Sequence, residues 1–129
     1  MIRVMVVDDA PFIREIVRHV IEGSLHSLVA EAQDGIEAIE LARKHQPDVI
    51  LMDIVMPKKT GIEATKQILF EFPQTKIIAF STADQETMVL NAIDAGCCSF
   101  LTKPFKKDEL LAMIERSYRE STQFRQAGG

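Results

Sequence analysis

The chain has 129 residues, of which 47% are hydrophobic and 26% are charged, with a net charge of -4. This length predicts one domain that can bury its own core. The acidic balance argues against nonspecific binding to nucleic acid or to an anionic membrane. No apolar stretch approaches the roughly 20 residues that span a bilayer.

Two further features indicate the compartment. The first strand follows Met1 almost at once, which leaves no room for a signal peptide. Cys97 and Cys98 are adjacent, a spacing that fits neither a disulfide framework nor a zinc site. We therefore expect a reduced, cytoplasmic protein that does not insert into membranes.

Short apolar runs and amphipathic segments alternate five times along the chain. Pro11 lies near the start of the first helix, where its missing N–H matters least, and Gly23 ends that helix. Asp84 is the expected N-cap of the fourth helix, and Gly96 is expected just past its end. Strands are predicted at 2–7, 28–32, 49–52, 76–80 and 99–102, and helices at about 11–22, 36–42, 62–72, 85–95 and 106–118.

The alternation predicts a doubly wound α/β fold, (βα)5, in which helices cover both faces of a five-stranded parallel sheet. Residues 1–120 are assigned to this domain, and 121–129 to a polar tail without apolar periodicity. The scattered histidines His19, His26 and His45 are expected at the surface rather than in a metal site.

Polar residues follow four of the predicted strands directly. Asp8 and Asp9 follow the first strand, Asp53 the third, Ser81 the fourth and Lys103 the fifth. Because sites in parallel sheets form at the carboxyl ends of the strands, these side chains are expected to meet at one edge. A single aspartate there could merely cap a helix, but three together predict a binding site.

Three carboxylates at one edge repel one another unless a cation joins them. Oxygen ligands of this kind suit Mg²⁺. Asp53, at the end of the central strand, is the best placed to attack phosphorus and form an aspartyl phosphate. Lys103 and Ser81 could then contact other phosphoryl oxygens. The sequence therefore predicts a site for a divalent metal and a phosphoryl group.

The same residues resemble the receiver domain of two-component response regulators, and most of all the stand-alone, CheY-like type. The resemblance covers residues 2–119 and implies a flavodoxin-like strand order of 2-1-3-4-5, as in flavodoxin and CheY. It rests on these residues in this order: Asp8-Asp9, Asp53, Met56-Pro57, Gly61, Ser81, Ala95-Gly96 and Lys103-Pro104-Phe105.

The resemblance implies a role for each site residue. Asp53 would be the phosphoacceptor, and its donor a sensor histidine kinase or a histidine phosphotransfer protein. Mg²⁺ would be bound by Asp9, Asp53 and the backbone carbonyl of Val55, with Asp8 acting through water. Lys103 would pair with the phosphoryl group. The chain would be a switch rather than an enzyme, although it assists its own phosphorylation and dephosphorylation.

The resemblance also implies how the signal leaves the site. Ser81 occupies the switch hydroxyl position and Phe100 the switch aromatic position, so that the helix 4–strand 5–helix 5 face would bind the output partner. Thr82, where many relatives have Ala, adds a second hydroxyl, but the spacing to Gly96 and Lys103 favours Ser81. The resemblance implies a cis peptide bond before Pro104, where propensity alone favours trans.

The residues at two variable positions allow a prediction of how long the phosphoryl group would stay on Asp53. In relatives, the positions of Val55 and Ala83 flank the phosphoryl group and tune its hydrolysis. Neither side chain can orient an attacking water by hydrogen bonding, so we predict slow self-dephosphorylation. Ala83→Glu should shorten the phosphate lifetime relative to the wild type; an unchanged or longer lifetime would contradict the prediction.

Four functions can be compared on the basis of the sequence. The first is a chemotaxis-type switch that binds a target such as a flagellar motor switch component, and the second is an isolated receiver of a larger DNA-binding or enzymatic regulator. A phosphatase of the haloacid dehalogenase type needs a second Asp where this chain has Val55. A flavodoxin-like FMN carrier needs a phosphate-binding loop where Asp8 and Asp9 would repel phosphate.

Overall fold

The computed structural model describes residues 1–128 except Pro57 and Ala83, and side chains as far as Arg119. The prediction about Ala83 and the end of the tail, Gly129, lie outside the described residues. The described residues form five strands, β1 (Arg3–Val7), β2 (Ser27–Ala32), β3 (Val49–Asp53), β4 (Lys76–Thr82) and β5 (Ser99–Lys103). They also form five helices, α1 (Pro11–Glu22), α2 (Gly35–His45), α3 (Gly61–Glu71), α4 (Glu86–Asp94) and α5 (Lys107–Gly128).

The described strands form one parallel sheet in the order β2-β1-β3-β4-β5. This confirms the predicted doubly wound α/β fold and its strand order. The chain moves outward from β1 to β2, then returns past β1 to build β3, β4 and β5. The order therefore reverses between β1 and β3, which is where α/β sheets of this kind bind ligands.

The sheet has a hydrophobic core on each face, because successive residues of a strand point to opposite sides. Met5 and Ile50 pack on one face with residues of α2, α3 and α4. Leu51 and Phe80 pack on the other face with residues of α1 and α5. All five residues of β3 are buried, as expected for a central strand covered on both sides.

Side-chain caps fix where α2 and α3 begin. Asp34 accepts a hydrogen bond from the backbone N–H of Glu37 (2.8 Å) at the start of α2. Thr60 and Glu63 form a capping box at the start of α3. Each cap lies in a loop at the carboxyl end of the sheet, so the caps also order the rim of the predicted site.

Helix α4 corrects one prediction. It begins at Glu86, and its N-cap is Gln85 rather than Asp84. The Asp84 carboxylate instead accepts a hydrogen bond from the Thr82 hydroxyl, two residues earlier. This local side-chain contact engages the carboxylate that was expected to cap the helix. Gly96 lies just past the helix with φ of +118°, as expected.

Two further predictions, the end of the last helix and the exposure of His26, differ from the structure. Helix α5 continues to Gly128, about ten residues beyond the predicted end near Tyr118. The prediction that His26 lies at the surface is wrong, since its side chain is only 9% exposed. Among the residues that the structure describes, no helix has both the length and the apolar character that crossing a bilayer requires.

Candidate functional site

Three carboxylates meet at the carboxyl ends of β1 and β3. Asp8 and Asp9 follow β1 directly, and Asp53 is the last residue of β3. One oxygen from each carboxylate lies within 4.8 Å of the other two. Asp8 and Asp53 are buried whereas Asp9 is exposed, so the cluster opens to solvent on the Asp9 side. The structure thus brings together the three aspartates that were predicted from the sequence to meet at one edge of the sheet.

Asp8 is held by four hydrogen bonds and is fully buried. Its N–H donates to the Ala32 carbonyl (3.0 Å). One carboxylate oxygen accepts from the N–H of Ala10 (2.9 Å), and the other accepts from Lys103 Nζ (2.7 Å). Its own carbonyl accepts from Arg14 Nη1 (2.6 Å). Asp8 is therefore a fixed part of the site.

Asp53 is 5% exposed and is less tightly held. Oδ1 accepts a hydrogen bond from the N–H of Val55 (3.2 Å), and Oδ2 lies 3.7 Å from Lys103 Nζ. Burial raises the pKa of Asp53 to about 7, and the charge of Asp8 adds to this, while Lys103 opposes it. A carboxylate in this setting favours any ligand that brings positive charge beside it.

Lys103 is the cation that faces the cluster. It ends β5, and the peptide bond to Pro104 is cis, as the resemblance implied. Its Nζ lies 6.0 Å from the centre of the Phe80 ring, which stacks on Phe105 at 5.2 Å. The ammonium group is thus held between an aromatic wall and the carboxylates of Asp8 and Asp53.

The two hydroxyls at the end of β4 differ in their surroundings. Ser81 is buried, and it pairs in the sheet with Thr102 of β5. Thr82 is exposed, and its hydroxyl donates to Asp84. Phe100, on β5, is 47% exposed. The buried hydroxyl therefore lies on the strand next to the one that positions Lys103 and Phe100.

The donor set determines what the site can bind. The contributing ligand atoms are carboxylate oxygens, which are hard donors, and two of the three carboxylates are buried. Hard divalent cations bind such oxygen ligands. Mg²⁺ keeps several of its water molecules when bound and needs only one or two carboxylates. The residues present therefore fit Mg²⁺, with Lys103 beside it as a donor to an anion.

Sequence reasoning missed two parts of the surroundings. Arg14 reaches back from α1 to the carbonyl of Asp8, and Phe80 and Phe105 form the wall beside Lys103. The signal for Arg14 is a basic residue within the first turns of the helix that follows Asp8-Asp9. Apolar patterning places Phe80 in the core but does not predict its ring contact.

The sequence matches the family described as the response regulator receiver domain over residues 4–115. This range includes every aspartate of the cluster as well as Lys103. The chain belongs to the response regulator receiver domain family. Receiver domains are phosphoacceptor switches of two-component signal transduction.

Relatives of this receiver domain have different outputs. The chemotaxis protein CheY of Listeria monocytogenes is 37% identical over 117 residues, which cover 91% of this chain and 98% of the relative. The uncharacterized transcriptional regulatory protein YxjL of Bacillus subtilis is 42% identical, but this chain covers only 57% of its length. The response regulator domain of Thermotoga maritima CheB is similar in structure, with a TM-score of 0.82, 35% identity and 92% and 96% of the two chains covered.

Proposed function

We propose that this receiver takes a phosphoryl group onto Asp53, in a Mg²⁺-dependent reaction with a phosphohistidine donor, and thereby changes the surface that binds its output partner. One observation supports this above all. A buried carboxylate lies within 4.8 Å of two others and 3.7 Å from the ammonium group of Lys103. With a divalent cation held by the carboxylates, this arrangement would place positive charge on two sides of a transferring phosphoryl group.

The metal would be held by Asp9, Asp53 and the backbone carbonyl of Val55, with Asp8 acting through a water molecule. When bound, Mg²⁺ supplies positive charge to the phosphoryl oxygens. Asp8 is already engaged by Lys103 and by the N–H of Ala10, which supports an indirect role for it. Exposed Asp9 supplies a carboxylate on the open side of the site.

In the transfer step, an oxygen of the Asp53 carboxylate forms a bond to phosphorus. The bond from phosphorus to the imidazole nitrogen of the donor breaks, and its electron pair stays on that nitrogen, which takes a proton. Lys103 Nζ, which is hydrogen-bonded to Asp8 in this structure, lies close enough to Asp53 to donate to a phosphoryl oxygen after a small movement. The product is an acyl phosphate on Asp53.

The switch would use Ser81 and Phe100. Ser81 offers a buried hydroxyl that can turn toward a phosphoryl oxygen, whereas the Thr82 hydroxyl is engaged by Asp84. Phe100 is half exposed here, so an inward movement would change both its exposure and the surface around it. Phosphorylation would then shift a population between two packings.

The output face would be formed by α4, β5 and α5. Leu90 is 63% exposed, and Ile93 and Phe100 are also exposed, which gives this face apolar area to bury against a partner. Because full-length CheY proteins are among the similar chains, we propose a chemotaxis role with a target such as a flagellar motor switch component.

A second candidate is the receiver of a larger regulator. It is favoured by the relative YxjL, of which this chain covers only 57% although the identity is 42%. Residues 1–120 would then be the receiver and 121–129 the start of a connection to another domain. The mass of the endogenous gene product, detected with an antibody against this domain, separates the two candidates.

Intact mass after incubation with Mg²⁺ and acetyl phosphate tests the proposed chemistry. The wild type and Asp94→Asn, an exposed change on α4, should each gain one phosphoryl group. Asp53→Asn should gain none, and removing Mg²⁺ with a chelator should abolish the gain in every variant. A wild type that gains no mass, even with a more reactive phosphoramidate donor, would refute phosphoacceptance.

A further inference from the structure

Arg14 links the acidic cluster to an ion-pair network outside it. Its Nη1 donates to the backbone carbonyl of Asp8 at 2.6 Å, and its Nε lies 3.6 Å from Glu31. Arg18, one turn further along α1, holds both carboxylate oxygens of Glu31 at 2.6 and 2.9 Å. The side chain of Arg14 is 18% exposed, whereas that of Arg18 is 44% exposed.

The two arginines therefore differ in what they contact. Arg18 makes a solvent-exposed pair with a carboxylate, and such pairs contribute little to a fold. Arg14 makes its shortest contact with a carbonyl at the point where β1 ends and the cluster begins. Asp8 has its N–H and both carboxylate oxygens already engaged, so the carbonyl contact is the fourth point that fixes this residue.

We propose that Arg14 is a positioning residue for the metal and phosphoryl site. It holds the end of β1, and through it the carboxylates of Asp8 and Asp9, at the spacing to Asp53 that a divalent cation requires. The inference rests on the proposed function, since it assigns Arg14 to the same site.

The positive charge of Arg14 and its hydrogen bond to Asp8 have opposite effects on Mg²⁺ affinity, so the result of a single substitution is ambiguous. Removing the positive charge of Arg14 favours a bound cation, whereas removing its hydrogen bond lets the end of β1 move. Removing Glu31 together with either arginine leaves the net charge of the chain unchanged. Two such double variants then have the same net charge, and only the one that keeps Arg14 keeps the contact with Asp8.

The test compares Arg14→Met/Glu31→Gln with Arg18→Met/Glu31→Gln and with the wild type. Titration calorimetry with MgCl₂ measures metal affinity, and intact mass with acetyl phosphate measures the rate of phosphorylation at several Mg²⁺ concentrations. Partners that orient metal ligands typically contribute 10–100-fold in affinity or activity. We expect the Arg14 double variant to bind Mg²⁺ about tenfold more weakly, and the Arg18 double variant to stay within about twofold of the wild type.

Thermal unfolding of all three proteins separates positioning from stability. Equal Mg²⁺ affinities in the two double variants overturn the proposal, whatever their melting temperatures. If the Arg14 double variant does not fold, Arg14→Lys, which keeps the charge but has a single donor group, should still weaken Mg²⁺ binding several-fold, and an unchanged affinity refutes the role. A wild type that binds Mg²⁺ but gains no phosphoryl group refutes the proposed function and not this inference.

Discussion

At the scale of single residues, the site places a carboxylate where a charge is poorly tolerated. Asp53 is buried beside Asp8, and its pKa of about 7 lies well above its ordinary value of 3.8. A raised carboxyl pKa means that the folded state holds the proton more tightly than the unfolded state. The stability of the protein without metal should therefore fall as the pH rises from about 4 to about 7.

Asp53→Asn should consequently stabilise the metal-free protein at pH 8. A pKa of about 7 against 3.8 corresponds to an upper bound of about 4 kcal/mol in the free energy of unfolding. At pH 5 the gain should be less than half as large, since the folded wild type then keeps its proton. Urea unfolding in the presence of a chelator measures both values.

Asp94→Asn, which changes an exposed carboxylate on α4, is the matched control and should change stability by less than about 0.5 kcal/mol at either pH. A gain in Asp53→Asn that is the same at pH 5 and pH 8 would show that ionisation is not its cause.

His26 ties the start of the chain to α5. Its Nδ1 accepts from the buried N–H of Ile2 (3.1 Å), and its Nε2 is therefore the nitrogen that donates to Glu115 (2.8 Å). His26→Ala leaves that N–H without its acceptor and should destabilise the protein by about 1–3 kcal/mol. Chemical denaturation measures the loss, and His19→Ala, at an exposed position of α1, should cost less than about 0.5 kcal/mol. Equal effects of the two substitutions would contradict this account.

Sequence reasoning predicts which residues lie at the ends of strands better than it predicts which side chains meet where a helix packs on the sheet. The strand-end rule brings Asp8, Asp53 and Lys103 together because it depends only on where the strands end. The contact of His26 with Glu115 joins residues 89 apart in sequence, and Arg14 reaches Asp8 only because α1 packs beside the end of β1. Neither follows from local propensity, since each depends on how a helix packs on the sheet.

At the scale of elements, the approach of α3 to β3 fixes the position of Asp53. Gly61, the first residue of α3, lies so close to the end of β3 that a Cβ atom there would overlap the backbone carbonyl of Asp53. Gly61→Ala should therefore destabilise the protein by several kcal/mol or displace Asp53, because backbone atoms cannot give way as a flexible side chain can.

Gly23→Ala is the matched control for this substitution. A Cβ at Gly23 would meet carbonyl oxygens at ordinary contact distances of 3.6 and 3.7 Å, and its φ of -84° suits any residue. It should leave stability unchanged or raise it by up to about 1 kcal/mol. Melting temperatures and phosphorylation rates of both variants test the contrast, which fails if Gly61→Ala behaves like Gly23→Ala.

Helix boundaries show why element ends are harder to predict than element types. Asp84 has the residue type of an N-cap, but its carboxylate accepts from Thr82, so α4 begins with Gln85 as its cap. Thr60 and Asp34, by contrast, both cap the helices that follow them. Residue type is the same signal in all three places, and the competing neighbour decides the outcome.

At the scale of the whole molecule, metal binding and folding are linked. The proposed Mg²⁺ site is a cluster that only the folded chain assembles, so Mg²⁺ at 100 times its Kd should stabilise the fold by about 2.7 kcal/mol. We expect the Tm of the wild type to rise by several degrees and to increase with the logarithm of the Mg²⁺ concentration.

Asp9→Asn, at the exposed carboxylate of the proposed site, should lose most of this Mg²⁺-dependent rise while keeping the same Tm in chelator to within a few degrees. NaCl at matched ionic strength controls for general screening. A rise in Tm of equal size with NaCl, or an undiminished rise in Asp9→Asn, would exclude this cluster as the metal site.

The strand order has a consequence for how the molecule opens. β5 is at one end of the order, so within the described strands it pairs with β4 alone, whereas β1 and β3 have partners on both sides. Local unfolding begins where the fewest hydrogen bonds must break. In deuterated water the amides of β5 should thus exchange sooner than those of β3, which means that the strand with Phe100 and Lys103 can rearrange while the strands with the carboxylates stay closed.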